Sequence, residues 1–307
     1  QRGIDVRASQ VVTTVGSQQA LDIVARALDV RRIGLENPVY AHARLLFESH
    51  GVALAPLPLD PFTNLPLERW EAELASTRPG LVYAITSFQN PTGYSYATHE
   101  LSRLLELSEK YGFALMEDDW GSDMLSDSDV RPSLRALGGE NVLYVNSFTK
   151  KLLPSLRVGF IVTSDELVPA LVAQKRLSTL GSPWLEEATL AEFLERGYFD
   201  THLATLHEAL DARYVRCLET LRELMPEEAR WTTPGGGPTL WLDFPRRFDV
   251  QALRKAALAR GVFVEDARHQ FFGEPHLNGF RVSYAFLPES ELRRALEIVA
   301  DEAKRLL

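Results

Sequence analysis

Short apolar runs alternate with amphipathic stretches through the first half of the chain. A continuous apolar run is typical of a strand that is buried on both faces of a sheet. The predicted strands are VVTTV (11–15), RRIGLE (31–36), VALAPL (52–57), LVYAIT (81–86), FALMED (113–118), VLYVNS (142–147) and VGFIVT (158–163). Because helical patterns separate most of them, the sequence predicts an α/β fold with a mostly parallel sheet flanked by helices.

From about residue 164 the apolar spacing becomes helical. Residues 199–224 predict a long helix that joins two domains. After the turn cluster PGGGP, the predicted strands TLWLDF, VFVEDA and FRVSYA and two helices indicate a small α+β domain. We therefore predict a large domain over residues 1–200, and an interdomain helix with a small C-terminal domain over residues 201–307.

The composition is that of a folded protein. A chain of 307 residues, 45% of them hydrophobic, can bury the core of one large and one smaller domain. The net charge of −9 argues against DNA binding by this segment itself, because DNA affinity needs a basic surface. No apolar run approaches the ~18 residues of a membrane span. The single cysteine, Cys217, excludes an internal disulfide; we expect it half-buried on a helix, and we expect a cytoplasmic protein.

Polar residues follow the predicted strands at the sheet edge where α/β proteins bind ligands. Gly16, Ser17 and Gln18 come at the start of a helix, where backbone N–H groups favour an anion such as phosphate. A serine there is also a common helix N-cap, so both interpretations stay open. The strand LVYAIT leads to Asn90 in an Asn-Pro-Thr-Gly segment, which is also a plausible simple turn.

Charged residues follow the later strands. The strand FALMED ends in Glu117 and Asp118, and Asp119 follows directly. Three adjacent acids are costly to bury there unless a metal ion or a cationic ligand group pairs with them. The strand VLYVNS ends at Ser147 and leads into the phrase Ser-Phe-Thr-Lys-Lys (147–151), and Arg157 precedes the next strand. Together these residues offer hydroxyls and an arginine for a phosphate, an acid for a ring nitrogen and a lysine for an aldehyde.

This combination resembles the fold-type-I pyridoxal 5'-phosphate (PLP) enzymes, the class I and II aminotransferases with the aspartate-aminotransferase fold. Asp118 follows Asn90 by 28 residues, and Arg157 follows Lys150 by seven. The sequence is most similar to the aminotransferase-like domain of MocR-type regulators of the GntR family and to their free-standing aminotransferase relatives. They share the GSQQAL opening, the E-D-D-aromatic strand end and the phrase K-x-L-x-P-x-L-R-x-G, here at 150–159. The resemblance covers nearly the whole chain, and it implies PLP as the cofactor and no metal.

The resemblance implies two catalytic residues. Lys150 would form the Schiff base with PLP and later carry a proton between the substrate and the cofactor. Lys151 competes for this role, but the family phrase puts the lysine directly after the hydroxyl residue Thr149. Asp118 would pair with the pyridinium nitrogen and keep it protonated. Asp119 is the alternative, although an exposed or N-capping role suits it better.

The resemblance also implies the remaining contacts. The phosphate would be held by Ser17, Gln18, Ser147, Thr149 and Arg157. Asn90 would bind the ring oxygen O3' and help to bind the substrate. Tyr40 would stack on the ring, unless it is a packing residue at a helix start. Arg281, inside the apolar strand FRVSYA, would bind the substrate α-carboxylate, because an arginine there is costly unless it meets an anion or faces solvent.

The sequence departs from the family pattern in two ways. The family usually has a tyrosine two residues after the ring-pairing aspartate, where it bonds O3', but here the residue is Trp120, whose indole N–H donates a hydrogen bond and cannot accept one. The resemblance also implies an N-terminal arm, or in the regulators a winged-helix DNA-binding domain, that this stretch of sequence does not include. The first residues, QRGIDVRAS, lack the apolar stretch of a signal peptide, and we expect the chain to be part of a longer protein.

The resemblance predicts an aminotransferase that moves an amino group from an amino acid to a 2-oxo acid. We also expect a homodimer that does not associate with a membrane. One alternative is the PLP-binding effector domain of a MocR/GntR-family transcription regulator, with nucleic acid bound only by a segment outside this chain. Another is a different PLP reaction on the same fold, such as a lyase, because fold does not fix the reaction.

Overall fold

The computed structural model describes residues 2–124 and 132–307, and the predicted strands of the first domain lie in one seven-stranded sheet. In chain order they are β1 (Val11–Thr14), β2 (Arg32–Asn37), β3 (Ala53–Pro58), β4 (Leu81–Ala84), β5 (Ala114–Asp118), β6 (Val142–Ser147) and β7 (Gly159–Val162). Across the sheet the order is β1-β7-β6-β5-β4-β2-β3. Strand β7 runs antiparallel to β1 and β6 and the other pairs are parallel, so the predicted mostly parallel sheet is confirmed.

Helices cover both faces of this sheet. They are α1 (Ser17–Leu28), α2 (Ala41–Ser49), α3 (Leu67–Thr77), α4 (Thr98–Tyr111) and α5 (Val168–Thr179), and a mostly exposed helix, α6 (Trp184–Glu195), follows them. Successive residues of a strand point to opposite faces. On β5, Leu115 packs into the core beneath α3 and α4, whereas Met116 packs into the core beneath α1 and α2. Both faces are therefore buried, which explains why the strands read as continuous apolar runs.

A second, smaller sheet belongs to the C-terminal part of the chain. The helices and strands of this part of the chain are α7 (Tyr198–Leu224), β8 (Arg230–Trp231), β9 (Thr239–Asp243), α8 (Val250–Ala259), β10 (Gly279–Ser283) and α9 (Glu289–Leu306). The sheet is antiparallel in the order β10-β9-β8, and its core joins side chains from α7, α8 and α9. The predicted domain boundary at residue 200 falls in the first turn of α7 and stays a prediction.

The helix α7 is 27 residues long, which gives it a length of ~40 Å at 1.5 Å per residue. Cys217 is fully buried on this helix, in the core of the small sheet, so the expectation that it is half-buried was wrong. Apolar neighbours on α7, α8 and α9 enclose it. Among the described residues, no helix combines the length and the apolar character needed to cross a membrane.

The predicted strand VFVEDA is wrong, because residues 262–266 form an irregular segment. Its backbone bonds lead to α8, because the N–H of Val262 donates to the carbonyl oxygen of Ala257 at 2.9 Å. Arg254 Nε donates to the carbonyl oxygen of Val264 at 3.0 Å, and the Asp266 side chain accepts from the backbone N–H of Arg268. Val262 and Val264 pack against the core of the small domain while Phe263 is mostly exposed, so the side chains alternate as in a strand even though the backbone of the segment is irregular.

The sheet topology brings chain segments that are far apart in sequence to one edge. Strands β1, β4, β5 and β6 all run in the same direction, so their carboxyl ends lie on the same side of the sheet. Strand β7 runs the opposite way, so the residues before it reach this side as well. The carboxyl edge therefore collects the polar residues that follow four strands and precede a fifth.

Candidate active site

A cavity of about 740 Å³ lies at this carboxyl edge, between the large sheet and the small domain. Every site residue predicted from the sequence lines it: Ser17, Gln18, Tyr40, Asn90, Asp118, Trp120, Ser147, Thr149, Lys150, Arg157 and Arg281. The sequence prediction of one shared site therefore agrees with the geometry.

One end of the cavity is built around the N-terminus of α1. Gly16 occupies the N-cap position with a φ of +105°, and Ser17 is the first residue of the helix, so Ser17 is not the N-cap. Arg157 Nη2 donates to the carbonyl oxygen of Val15 at 2.7 Å, and Nη1 donates to Thr149 Oγ1 at 3.3 Å. A Cβ atom on Gly16 would lie 2.6 Å from Arg157 Nη2, so glycine is needed for the guanidinium to approach.

The two adjacent lysines have different surroundings. Lys151 is buried, and its Nζ donates to Asn146 Oδ1 at 2.7 Å and contacts the Asp123 carboxylate. Lys150 lines the cavity and makes no hydrogen bond to any residue of the described ranges. The amine of Lys150 is therefore free for a ligand, whereas that of Lys151 is committed to structure.

Asp118 ends the central strand β5 and is buried. Its Oδ2 accepts a hydrogen bond from Tyr83 Oη at 2.8 Å. Its Oδ1 is buried and has no partner among the described residues. Burial raises the pKa of Asp118 to about 7, the Tyr83 hydrogen bond opposes this rise, and the charge of Asp119 adds to it. An acid in this state is ready to pair with a cationic group that enters the cavity.

Asp119 is fully buried, so the exposed or N-capping role predicted for it was wrong. Its Oδ2 accepts from Arg2 Nε at 2.6 Å and from Tyr144 Oη at 2.8 Å. Glu117 points elsewhere, accepting from Thr86 Oγ1 at 2.7 Å. Each of the three adjacent acids therefore has its own protein partner. Within residues 2–124 and 132–307, no three His, Cys, Asp or Glu side chains are grouped as metal ligands.

Asn90 and Arg281 meet across the boundary between the two sheets. Arg281 Nη1 donates to Asn90 Oδ1 at 3.1 Å, and Nη2 donates to Glu265 Oε2 at 3.2 Å. Arg281 comes from β10, and its side chain is 32% exposed and lines the cavity. Of the two orientations considered for Arg281, the structure has the one that faces the cleft.

The remaining predicted residues sit around the same cavity. Tyr40 is at the N-cap position of α2, so it stands at a helix start and also faces the cavity. Burial raises the pKa of Tyr40, and the negative charge of Asp118 adds to the rise. Trp120 Nε1 is buried without a partner among the described residues. Gln18 is exposed, with its Nε2 3.4 Å from the carbonyl oxygen of His42.

Sequence reasoning missed two residues of this site. Tyr83, on the strand before Asp118, is the hydrogen-bond donor to that carboxyl group. A tyrosine in the middle of the apolar run LVYAI (81–85) was the available signal. Glu265 contacts Arg281, but it lies in the segment mistaken for a strand. No pattern in the sequence singles it out.

Comparison with known proteins identifies the family. A model of the family described as "Aminotransferase class I and II" matches residues 1–299. The aromatic-amino-acid aminotransferase 1 of Thermococcus litoralis is 30% identical to this chain, over 98% of this chain and 74% of its own length. The probable rhizopine catabolism regulatory protein MocR of Rhizobium meliloti is 30% identical, over 96% of this chain and 59% of its own length.

Solved structures of aminotransferases have the same fold as this chain. The crystal structure of LysN, an alpha-aminoadipate aminotransferase from Thermus thermophilus complexed with N-(5'-phosphopyridoxyl)-L-leucine, superposes with a TM-score of 0.91. It is 31% identical to this chain, and the match covers 98% of this chain and 78% of that one. The chain belongs to the class I and II aminotransferase family, and it is a PLP-dependent aminotransferase of fold type I.

Proposed function

We propose that the cavity binds PLP through Lys150, and that the chain uses it to move an amino group from an amino acid to a 2-oxo acid. The observation that carries the assignment is the contrast between the two lysines. Lys150 faces the same cavity as Asp118 Oδ1, which has no partner within residues 2–124 and 132–307, while Lys151 is bonded to Asn146 and Asp123.

The chemistry of the cavity fits the phosphate of PLP. The helix α1 begins here, and its free N–H groups and dipole favour an anion. The phosphate ligands that we propose are Ser17, Gln18, Ser147, Thr149 and Arg157. Arg157 is held against the turn at Gly16 by its bond to Val15, so its guanidinium is oriented before any ligand arrives.

The groups that surround Asp118 in the cavity lining fit the pyridine ring of PLP. The buried Oδ1 of Asp118 would hold a proton at the ring nitrogen, and Tyr83 supports the carboxylate from behind. Bound PLP then supplies an electron sink for the substrate carbon that loses a proton. Asn90 and Trp120 offer hydrogen-bond donors beside the ring, and Tyr40 offers an aromatic face. We assign to Lys150 Nζ the transfer of the proton from the substrate Cα.

Arg281 is the proposed partner of the substrate α-carboxylate. A guanidinium presents two parallel N–H groups to a carboxylate, and Arg281 reaches the cavity from the small domain, away from the phosphate end. Asn90, already bonded to Arg281, would contribute a second polar contact.

A regulatory role is the second candidate function. The similarity to the regulator MocR over 96% of this chain supports an effector domain that binds PLP and an amino compound, with DNA bound by a segment elsewhere. The two candidates differ in turnover, because a pure effector domain would bind an amino acid without forming the 2-oxo acid product.

We also propose that the chain forms a homodimer. Leu177, Leu180, Trp184 and Leu185, from the end of α5 to the start of α6, are strongly exposed apolar side chains close together in sequence. Such a surface is typical of a protein interface. We propose a cytoplasmic location, supported by a single buried cysteine that cannot form an intramolecular disulfide.

We expect borohydride reduction of the PLP-bound chain to fix the cofactor on Lys150. Peptide mapping by mass spectrometry locates the adduct, and Lys150→Ala should lose both the adduct and the yellow colour. Lys255→Ala, an exposed lysine change on α8, is the matched control and should retain both. An adduct on Lys151, or on no lysine, would contradict the assignment.

The raised pKa of Asp118 predicts how the stability of the cofactor-free chain depends on pH. The folded chain keeps the proton up to about pH 7, whereas an unfolded chain releases it near its ordinary value of 3.8. Between these values the folded state binds more protons, so stability falls as pH rises. Asp118→Asn should therefore reduce the loss of unfolding free energy between pH 5 and pH 8 by about 2 kcal/mol.

Chemical denaturation of the cofactor-free proteins at both pH values measures this effect. Burial also raises the pKa of Glu36 to about 8 and that of Glu117 to about 7, so part of the wild-type pH dependence should remain. Asp5→Asn, at an exposed position, is the control and should leave the difference unchanged. An identical pH dependence in Asp118→Asn would show that this carboxyl group is already ionised in the folded chain.

Arg281→Leu should leave cofactor binding intact and remove the change in visible absorbance at the amino acid concentrations that give a full response in the wild type. Losing a charge-assisted clamp should raise the amino acid concentration needed by at least about tenfold. Titration with a panel of amino acids measures the response, with Arg293→Leu on the exposed face of α9 as the control. If Arg281→Leu responds to the panel as the wild type does, Arg281 does not bind the α-carboxylate. If the wild type changes its absorbance but forms no 2-oxo acid, the effector-domain function is favoured.

The dimer is tested by light scattering coupled to size-exclusion chromatography. We expect the PLP-bound chain to elute with the mass of two copies at micromolar concentration. Trp184→Glu should shift it toward monomer, because a charge would be buried in the interface. Phe263→Glu, at another strongly exposed aromatic position, should not. A wild-type monomer would overturn the proposal.

A further inference from the structure

Glu265 places an acidic group beside the proposed substrate-binding arginine. Its Oε2 accepts from Arg281 Nη2 at 3.2 Å, while Asn90 Oδ1 accepts from Nη1 at 3.1 Å. Both terminal nitrogens of Arg281 thus already have an acceptor. The side chains of Glu265 and Arg281 are 34% and 32% exposed, and both line the cavity.

A substrate α-carboxylate that binds Arg281 must share this guanidinium with Glu265 or displace it. In either case two negative groups then compete for one positive group. The basic side chains that line the cavity in the described part of the chain are His42, Lys150, Arg157 and Arg281. Lys150 and Arg157 are assigned to the cofactor, and the other basic neighbour of Glu265, His269, lies 3.6 Å away with a half-exposed ring. Glu265 is therefore left short of positive charge when a substrate binds.

The residues on either side of Glu265 are held by hydrogen bonds. Arg254 holds the carbonyl oxygen of Val264, and Asp266 accepts from the backbone of Arg268, so Glu265 lies between two anchored residues. Leu206 and Leu210 of α7 line the same cavity, and an unbranched carbon chain could pack against them. A substrate with a long apolar stem and a charged tip matches these surroundings.

We propose that Glu265 determines substrate specificity by favouring amino acids with a positively charged side chain over those with a side-chain carboxylate. The proposal rests on the proposed function, in which Arg281 binds the α-carboxylate. Glu265 would pair with the cationic tip of the substrate once the α-carboxylate has taken its place on Arg281. A second carboxylate on the substrate would instead meet Glu265 as a like charge.

The test compares three amino acids with the same straight carbon chain: lysine, norleucine and 2-aminoadipate. They differ in the charge at the tip, which is positive, absent and negative. We expect the wild-type holoenzyme to have its highest kcat/KM with lysine and its lowest with 2-aminoadipate. Glu265→Gln should lower the value for lysine by at least about fivefold, raise it for 2-aminoadipate by a similar factor, and change it less than about threefold for norleucine.

Two further variants keep the result interpretable. Glu265→Asp retains the charge and should retain the preference for lysine. Glu297→Gln removes one negative charge on the surface of α9 and should leave all three values unchanged. The visible absorbance of bound PLP in each variant reports whether the site is still assembled.

The outcomes separate this inference from the function on which it rests. If all three substrates are turned over but Glu265→Gln changes them by one common factor, Glu265 acts on Arg281 alone and the inference is wrong. A wild-type preference for 2-aminoadipate over lysine also overturns it. If no amino acid is turned over by a chain that holds PLP, the proposed aminotransferase site fails, and the inference fails with it.

Discussion

The cavity depends on holding the carboxyl group of Asp118 out of water at the end of the central strand. Burying a carboxylate costs several kcal/mol unless hydrogen bonds or an opposite charge compensate. Here Tyr83 satisfies one oxygen of Asp118, and the neighbouring Asp119 has its own partners, an ion pair with Arg2 and a hydrogen bond from Tyr144. The other oxygen of Asp118 is left for the cavity. A cation there stabilises the ionised acid, so ligand binding and the charge state of Asp118 are coupled.

A second polar network fixes the loop that carries Asn90. Glu36, buried at the end of β2, accepts from Tyr96 Oη at 2.6 Å and from Gln89 Nε2 at 3.1 Å. Gln89 Oε1 accepts from Thr92 Oγ1 at 2.6 Å, and the carbonyl oxygen of Thr92 accepts from Thr232 Oγ1 at 2.8 Å. The loop is therefore bonded to the large sheet on one side and to the small domain on the other. Since its buried polar groups are mutually satisfied, the network restricts where the two domains can sit.

Most of the fold and the membership of the site could be predicted from the sequence, for a topological reason. In a parallel sheet, the residue that follows a strand lies at a known edge, whatever its distance along the chain. Asn90, Ser147 and Lys150 were predicted in this way, and they line one cavity. The choice between Lys150 and Lys151 was left to a family phrase, since adjacent residues at a strand end point in directions that only tertiary packing decides.

The sequence predictions that were wrong or incomplete share a different cause. The environment of Asp119 depends on Arg2, which is 117 residues away and carries no local signal. The segment 262–266 has the apolar residues of a strand, but its backbone bonds run to α8, from Arg254 Nε to the carbonyl oxygen of Val264 and from the N–H of Val262 to the carbonyl oxygen of Ala257. Sequence patterns report which face of an element is apolar. They do not report which polar partner arrives from a remote part of the chain, and for that reason Glu265 was missed.

Trp120 differs in its hydrogen-bonding chemistry from the tyrosine that the family pattern has at this position. A tyrosine hydroxyl donates and accepts hydrogen bonds and can lose its proton, whereas an indole N–H donates and does neither of the others. The N–H of Trp120 is buried beside the cavity without an acceptor among the described residues. An oxygen of a bound ligand can satisfy it, so the donor function of the tyrosine is retained. The capacity to exchange a proton with that oxygen is lost, and any such exchange must fall to another group in the cavity.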